Sequence, residues 1–277
     1  MAHIIDTHCH VGLHKYEPLE TLLYHMNRAG VDGAVFIQYM GNSDNSYLVD
    51  CLRRHPGRFA AAMIVPADDD GAAIRTWAAQ GLGGLRLAVD DLATGADPLI
   101  QWRTANELGL VVSARCSIES LLSAEFAQVV TTFPALPIVI EHLAGAKLDL
   151  QPPYANFKKV LALARFPNLT IKLPGFGEFY NLTTLFHGAL GENQAELDAA
   201  LASRAPALFD QIPPLADLVL EAFGPERIMW GSDWPPVSSR EGYDNALAVP
   251  RSWASTLSQA EQDAIFGGTA SRVWKLA

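Results

Sequence analysis

The stretch Ile4-Ile5-Asp6-Thr7-His8-Cys9-His10 begins with apolar residues and passes into polar ones, and it is the first of eight segments of this kind. Short and continuously apolar runs predict strands that are covered on both faces, as in a parallel sheet. The predicted strands are 3–6, 33–38, 59–65, 84–89, 110–114, 137–141, 169–173 and 227–230.

Amphipathic helical patterns separate these strands, and most of them end at a Gly or Pro just before the next strand. They cover 19–28, 46–54, 72–79, 98–108, 118–131, 154–164 and 215–223, and a closing helical segment covers 258–276. About eight strand–helix units predict an α/β fold, a (β/α)8 TIM barrel with residues 1–277 as a single domain. The alternative is an open doubly wound sheet, which the lack of a Gly-rich motif after the first strand disfavours. An insertion at 174–214, after strand seven, is expected to cap the mouth of the barrel.

Composition limits the classes of partner. The 277 residues are 49% apolar and 18% charged, with a net charge of −10. This charge argues against general binding to nucleic acid or to a membrane surface, and no apolar run approaches the ~20 residues of a membrane span. Cys9, Cys51 and Cys116 show no pairing pattern, and no signal peptide is recognisable, so we expect a cytoplasmic protein with reduced thiols. The expected partner is a small-molecule substrate, and a homo-oligomer is left open.

Polar residues follow most of the predicted strands, at the barrel end where TIM-barrel enzymes carry their chemistry. His8 and His10 share one face of the first strand because strand side chains alternate. The same alternation predicts that Glu141 faces a neighbouring helix and Cys9 the core. Burying many charges without a function is costly. The sequence therefore predicts an active site that includes Arg86, Arg115, His142, Lys172 and Asp233.

Two motifs, Asp6-Thr7-His8-Cys9-His10 and Gly231-Ser232-Asp233-Trp234-Pro235, resemble the amidohydrolase superfamily. Within it, the chain looks like the amidohydrolase-2 group, with its lactone hydrolases for 2-pyrone-4,6-dicarboxylate, sugar acids and 4-sulfomuconolactone. The segments 45–59, 84–87, 141–145 and 223–235 support this resemblance, which spans nearly the whole chain. It implies a TIM-barrel hydrolase that opens a lactone of an anionic or sugar-derived acid.

The resemblance does not decide whether the protein binds a metal ion, but the residues at the strand ends bear on this question. Two-metal members of the superfamily place metal ligands on strands four and five, where this chain has Arg86 and Arg115. Arginine offers no lone pair to a metal, so a two-metal site is not expected. A single zinc ion on His8, His10 and Asp233 is the alternative. Because nearby guanidinium groups oppose a further positive charge, metal-independent hydrolysis without a cofactor is favoured.

The resemblance and the residue chemistry together suggest a role for each group. Asp233 is the predicted general base for the hydrolytic water. Three histidines are predicted to polarise the carbonyl group: His8, His10 and His142. The cations predicted to bind substrate are Arg86, Arg115 and Lys172, although a buried ion-pair network is an alternative for Arg86 and Lys172. The alternative functions are a metal-dependent amide or ester hydrolase, a nonoxidative decarboxylase and a non-catalytic binder.

Overall fold

Eight parallel strands follow one another in chain order around a barrel. The computed structural model describes residues 3–90, 92–145, 152–180 and 214–276. The strands are β1 (Ile5–Cys9), β2 (Gly33–Ile37), β3 (Phe59–Met63), β4 (Gly84–Ala88), β5 (Val111–Arg115), β6 (Ile138–Ile140), β7 (Leu169–Pro174) and β8 (Ile228–Gly231). Each strand pairs in parallel with the next, and helices alternate with them, which confirms the predicted (β/α)8 fold.

All predicted helices are present, with two of them subdivided, and one further helix, Tyr243–Trp253, was not predicted. The described helices are α1 (Leu19–Ala29), α2 (Ser46–Arg54), α3 (Ala72–Ala78), α4 (Ile100–Glu107), α5 (Ile118–Leu121), α6 (Ala124–Thr132), α7 (Ala155–Leu161), α8 (Leu215–Phe223), α9 (Tyr243–Trp253), α10 (Gln259–Asp263) and α11 (Thr269–Trp274). The predicted helix 118–131 is two helices because the Ser123 side chain accepts from the Phe126 amide and caps a new start. A π-helical turn, Ala264–Gly268, divides the predicted segment 258–276.

The barrel closes where β8 meets β1. The Asp233 amide donates to the His8 carbonyl over 2.9 Å, and the Ser232 amide donates to the Asp6 carboxylate over 2.8 Å. The His8 amide also donates to Asp6, over 3.1 Å. These bonds hold the two signature motifs side by side, although they lie at opposite ends of the sequence.

An irregular register in β1 turns the histidine pair into the barrel. Asp6 pairs with Ala34 and Cys9 with Phe36, so β1 advances three residues while β2 advances two. A bulge of this kind reverses the alternation of side chains. The two histidines of the opening motif therefore face the barrel axis, and Cys9 is buried in the outer apolar layer, as expected.

The lower part of the barrel interior is apolar and closed by the C-terminal helix. Trp274 packs so tightly that a Cβ atom at Gly84 would lie 2.5 Å from its ring. This interior cluster contains Ile5, Val35, Ile37, Ala60, Ala62, Val111, Val139, Met229, Ala270, Val273 and Trp274. The histidines and the buried cations of the interior lie above this cluster, towards the C-terminal ends of the strands.

The predicted cap at 174–214 is described only at its ends. Its first part forms a 3₁₀ turn, Phe176–Tyr180, above β7, and residues 181–213 lie outside the described residues. Among the helices that are described, none is long and apolar enough to cross a membrane.

Candidate active site

Four of the predicted site residues meet at the C-terminal end of the barrel. Asp233 Oδ1 lies 3.5 Å from His10 Nε2 and 3.9 Å from His8 Nε2. His142 Nε2 lies 3.3 Å from His8 Nε2. Strands β1, β6 and β8 therefore bring one carboxylate and three imidazole rings into a single, largely buried cluster.

Asp233 is held in a left-handed backbone conformation at the end of β8, with φ of 62°, which Asp tolerates better than most residues. Its carboxylate lies between the histidines and Arg240, whose guanidinium is 3.0 Å from Oδ2. Burial opposes ionisation, but the neighbouring His10 side chain and the charges of His142 and Arg240 lower the pKa of Asp233 to about 2. Asp233 is therefore a proton acceptor at neutral pH.

The two flanking histidines differ in charge preference. His8 is fully buried, and burial together with the charges of Lys172 and His142 lowers its pKa well below the usual range. For His142, burial alone would lower the pKa, but the carboxylates of Glu178 and Asp233 outweigh it and raise that pKa. His142 Nδ1 lies 3.2 Å from Glu178 Oε2. We therefore expect His8 to be neutral, with His142 the first of the two to become charged as the pH falls.

Glu141 points into the barrel, so the prediction that it faces a helix is wrong. It continues the alternation of β6, in which Val139 faces the interior. The prediction assumed that His142 continues the strand, whereas residues 142–145 form a left-handed turn with φ values between 44° and 66°. This turn lets consecutive residues, Glu141 and His142, both reach the site.

A buried ionic chain runs beneath the histidines and joins β4, β5, β6 and β7. Arg86 donates to both carboxylate oxygens of Glu141, over 3.1 and 2.8 Å, and to the Gln38 carbonyl over 3.0 Å. Ser113 Oγ lies 2.7 Å from Glu141 Oε1 and 3.0 Å from Lys172 Nζ. Although burial opposes it, the charges of Arg86 and Lys172 lower the pKa of Glu141 well below its usual range. Arg86 thus uses its donors within the protein, as in the ion-pair alternative.

Lys172 is fully buried below the cluster, with Nζ 3.0 Å from His8 Nδ1. Burial lowers the pKa of Lys172 to about 8, with Glu141 opposing that shift. Its contacts are with His8 and Ser113, so it reaches the reacting space only through His8.

Arg115 is the predicted cation that faces solvent at the barrel mouth. It borders a cavity of about 240 Å³ that reaches the histidine–aspartate cluster at His142. The cavity is lined by Arg86, Arg115, Cys116, Ser117, His142 and Glu178, among others. A larger cavity of about 1040 Å³ lies at the opposite end of the barrel, around His3, Asp32 and Phe266, away from the strand ends that carry the cluster.

Two residues of the site, Arg240 and Glu178, were not predicted from the sequence. Arg240 contacts Asp233 and lies 3.3 Å from Glu178. Arg240 lies in the loop after β8, and Glu178 follows β7. Both follow strands that already carry a predicted site residue, which is the signal that would have found them. Tyr16, in the loop after β1, stacks on His10 with ring centroids 5.1 Å apart.

The fit of a metal ion depends on the donor atoms. His8, His10 and Asp233 place three ligand atoms close enough for one divalent ion. His10 Nδ1 donates to the Ile37 carbonyl over 2.6 Å, which is typical of a zinc-bound histidine and leaves Nε2 free. His8 does not fit, because its Nδ1 faces the Lys172 ammonium group, which has only hydrogens to offer. The donor set as a whole therefore does not fit zinc.

Comparison with known proteins gives a consistent family relationship. The sequence profile of the family described as amidohydrolase matches residues 5–276. The chain is 24% identical over 268 residues to 4-sulfomuconolactone hydrolase of Hydrogenophaga intermedia, covering 88% of this chain and 77% of that protein. It is 27% identical over 280 residues to L-fucono-1,5-lactonase of Burkholderia ambifaria, covering 94% and 84%.

Two further relatives come from Burkholderia multivorans. A 61-residue match to its L-fucono-1,5-lactonase is 48% identical but spans only 22% of this chain and 21% of that protein. The crystal structure of an amidohydrolase with bound zinc superimposes with a TM-score of 0.75, at 22% identity, over the full length of both chains. At this identity the superposition shows the fold alone.

Proposed function

This chain belongs to the amidohydrolase family, and we propose that it hydrolyses a lactone, the cyclic ester of an anionic or sugar-derived acid. One observation carries the proposal. The ionised carboxylate of Asp233 lies 3.5 Å from His10 Nε2 and 3.9 Å from His8 Nε2, so a proton acceptor and ring nitrogens converge on one space. Relatives named for lactone hydrolysis support a hydrolase that acts on ester bonds.

In the proposed reaction, Asp233 accepts a proton from water as the water oxygen bonds to the lactone carbonyl carbon. His8 donates a hydrogen bond through Nε2 to the carbonyl oxygen, which becomes an oxyanion. His142 donates through Nε2 as well in its charged form, which the carboxylates of Glu178 and Asp233 favour. His10, whose Nδ1 donates to the Ile37 carbonyl, borders the same space with Nε2 3.5 Å from Asp233 Oδ1. When the ring C–O bond breaks, Asp233 returns the proton to the leaving oxygen, and the product is a hydroxy acid or, from an enol lactone, its keto form.

We assign substrate recognition chiefly to Arg115. Its guanidinium borders the cavity beside His142, and among the residues that the structure describes no carboxylate forms an ion pair with it. A guanidinium fork matches the geometry of a carboxylate or sulfonate. Arg86, by contrast, already holds Glu141, so its contribution is to shape the cavity wall.

The proposed reaction needs no metal ion. The contact between Lys172 and His8 Nδ1 supports this view, because it removes His8 from the possible ligands. The specific alternative is a zinc-dependent hydrolase. The distances among His8, His10 and Asp233 favour it, and so does the zinc in the Burkholderia multivorans structure.

A hydrolysis screen of chelator-treated enzyme tests the proposal. Acidic lactones, such as 2-pyrone-4,6-dicarboxylate and muconolactones, and neutral sugar lactones are assayed with a pH indicator while bound metal is quantified. We expect acid release from at least one acidic lactone by metal-free enzyme. Hydrolysis that appears only after zinc is restored would select the metal-dependent alternative. Carbon dioxide release from an aromatic acid, without lactone opening, would overturn the proposed function.

A further inference from the structure

The surroundings of Lys172 determine the direction of its hydrogen bonds. Glu141 Oε1 accepts from Ser113 Oγ over 2.7 Å, because an ionised carboxylate has no proton to give. The single hydroxyl proton of Ser113 is thereby used. Ser113 Oγ must then accept from Lys172 Nζ, 3.0 Å away. Lys172 is therefore a donor on this side.

The other side of Lys172 faces His8. Its Nζ lies 3.0 Å from His8 Nδ1, and an ammonium group has no lone pair with which to accept. His8 Nδ1 must accept the hydrogen bond, and a neutral imidazole has only one ring proton. That proton is consequently on Nε2, the atom that faces His142 and Asp233.

We infer that Lys172 is a positioning residue that holds His8 in the Nε2–H tautomer and so makes it a hydrogen-bond donor instead of a zinc ligand. This inference rests on the proposed function for the role of His8 as a donor to the carbonyl oxygen. It assigns Lys172 an action through His8, in place of the direct substrate contact predicted from the sequence.

The rest of the site explains why Lys172 alone is enough to prevent zinc coordination. His10 has the tautomer that zinc requires, since its Nδ1 donates to a backbone carbonyl. Asp233 supplies a carboxylate oxygen 3.5 Å from His10 Nε2. Of the three candidate ligand atoms, only His8 Nε2 carries a proton that blocks coordination, and Lys172 is the group that keeps it there.

Nitrogen NMR of the wild-type chain tests the inference without substrate. Long-range proton–nitrogen correlations of ¹⁵N-histidine distinguish Nδ1–H from Nε2–H rings, and His8→Ala assigns the signal. We expect the Nε2–H pattern for His8 in chelator-treated protein. An Nδ1–H pattern would overturn the inference, and the pattern itself is read on the wild-type chain.

Zinc affinity gives a second readout through Lys172→Met, which keeps the side-chain length and removes the donor. We expect zinc to bind about 10- to 100-fold more tightly than to the wild type, the usual range for changes next to a metal-bound histidine. The gain should vanish in Lys172→Met/His8→Ala. Lys158→Met, an exposed position on α7, is the matched control and should leave zinc binding unchanged.

Equal zinc affinities for wild type and folded Lys172→Met would overturn the inference. Because neither measurement uses a lactone, its failure is distinct from failure of the proposed function. A chain that opens lactones yet shows His8 as Nδ1–H would retain the function and lose only the role of Lys172.

Discussion

Arg240 and Asp233 form an ion pair in which the guanidinium NH1 lies 3.0 Å from Oδ2, while Oδ1 faces the histidines. Each oxygen of the carboxylate thus has a separate task. One is neutralised by Arg240, and the other is directed at the space where a water molecule and a carbonyl group would meet. Arg240 also lies 3.3 Å from Glu178, which contacts His142. It therefore links the proposed base to one of the carbonyl donors.

Replacing Arg240 by Met should make the activity sensitive to acid. Arg240 helps to hold the pKa of Asp233 at about 2. Loss of an adjacent cation raises a carboxyl pKa by about 1 to 3 units, so the acid limb of kcat/KM should move to higher pH. The pH profile of kcat/KM checks this, with Arg240→Lys expected to restore much of the wild-type profile. Superimposable profiles for Arg240→Met and wild type would rule out this role.

Replacing Arg115 by Met should separate anionic from neutral substrates. Loss of a charge-assisted contact of about 1.5–3 kcal/mol corresponds to a rise in KM of about 10- to 150-fold for an acidic lactone. A neutral sugar lactone serves as the internal control and should change little. Equal effects on both substrates would remove Arg115 from recognition of the acid group.

Glu241 should make the folded protein less stable as the pH rises. Its carboxylate is buried beside Arg240, and burial raises the pKa of Glu241 from 4.5 to about 7. Between those two values the folded chain binds more protons than the unfolded chain, so the free energy of unfolding falls as the pH increases. Glu241→Gln removes this effect and should stabilise the protein by about 1–3 kcal/mol at pH 8, but not below pH 4.

Urea unfolding across that pH range is the measurement. The exposed Glu221→Gln is the matched control, and its free energy of unfolding should follow that of the wild type. A Glu241→Gln curve that runs parallel to the wild-type curve between pH 4 and 8 would show that Glu241 does not titrate in this window.

Most of the fold could be predicted from the sequence because eight apolar runs alternate with helical patterns, most of which end at a Gly or Pro. The cluster of His8, His10, His142 and Asp233 could also be predicted, since each residue lies at or just after the C-terminal end of a strand. The face of the strand on which these side chains lie was harder to predict. The bulge in β1 and the left-handed turn after β6 both reverse simple alternation, and neither leaves a clear sequence pattern. The Glu141 prediction failed for that reason.

The contacts of the buried cations inside the barrel could also not be predicted from the sequence. Arg86 and Lys172 stand on strands that are three apart in the sheet, and only the closed barrel shows that Ser113 and Glu141 lie between them. The sequence offered substrate binding and a buried ion-pair network as alternatives for these two cations. Three-dimensional distances favour the network, and they leave Arg115 as the cation that borders the cavity.

The most direct test of the account is the turnover of Asp233→Asn on a lactone that the metal-free wild type opens. Asn keeps the shape of the side chain but cannot accept the water proton, so kcat/KM should fall by about 10²- to 10⁴-fold. Circular dichroism should show that the variant remains folded. Wild-type-like turnover by folded, metal-free Asp233→Asn would contradict the proposed mechanism.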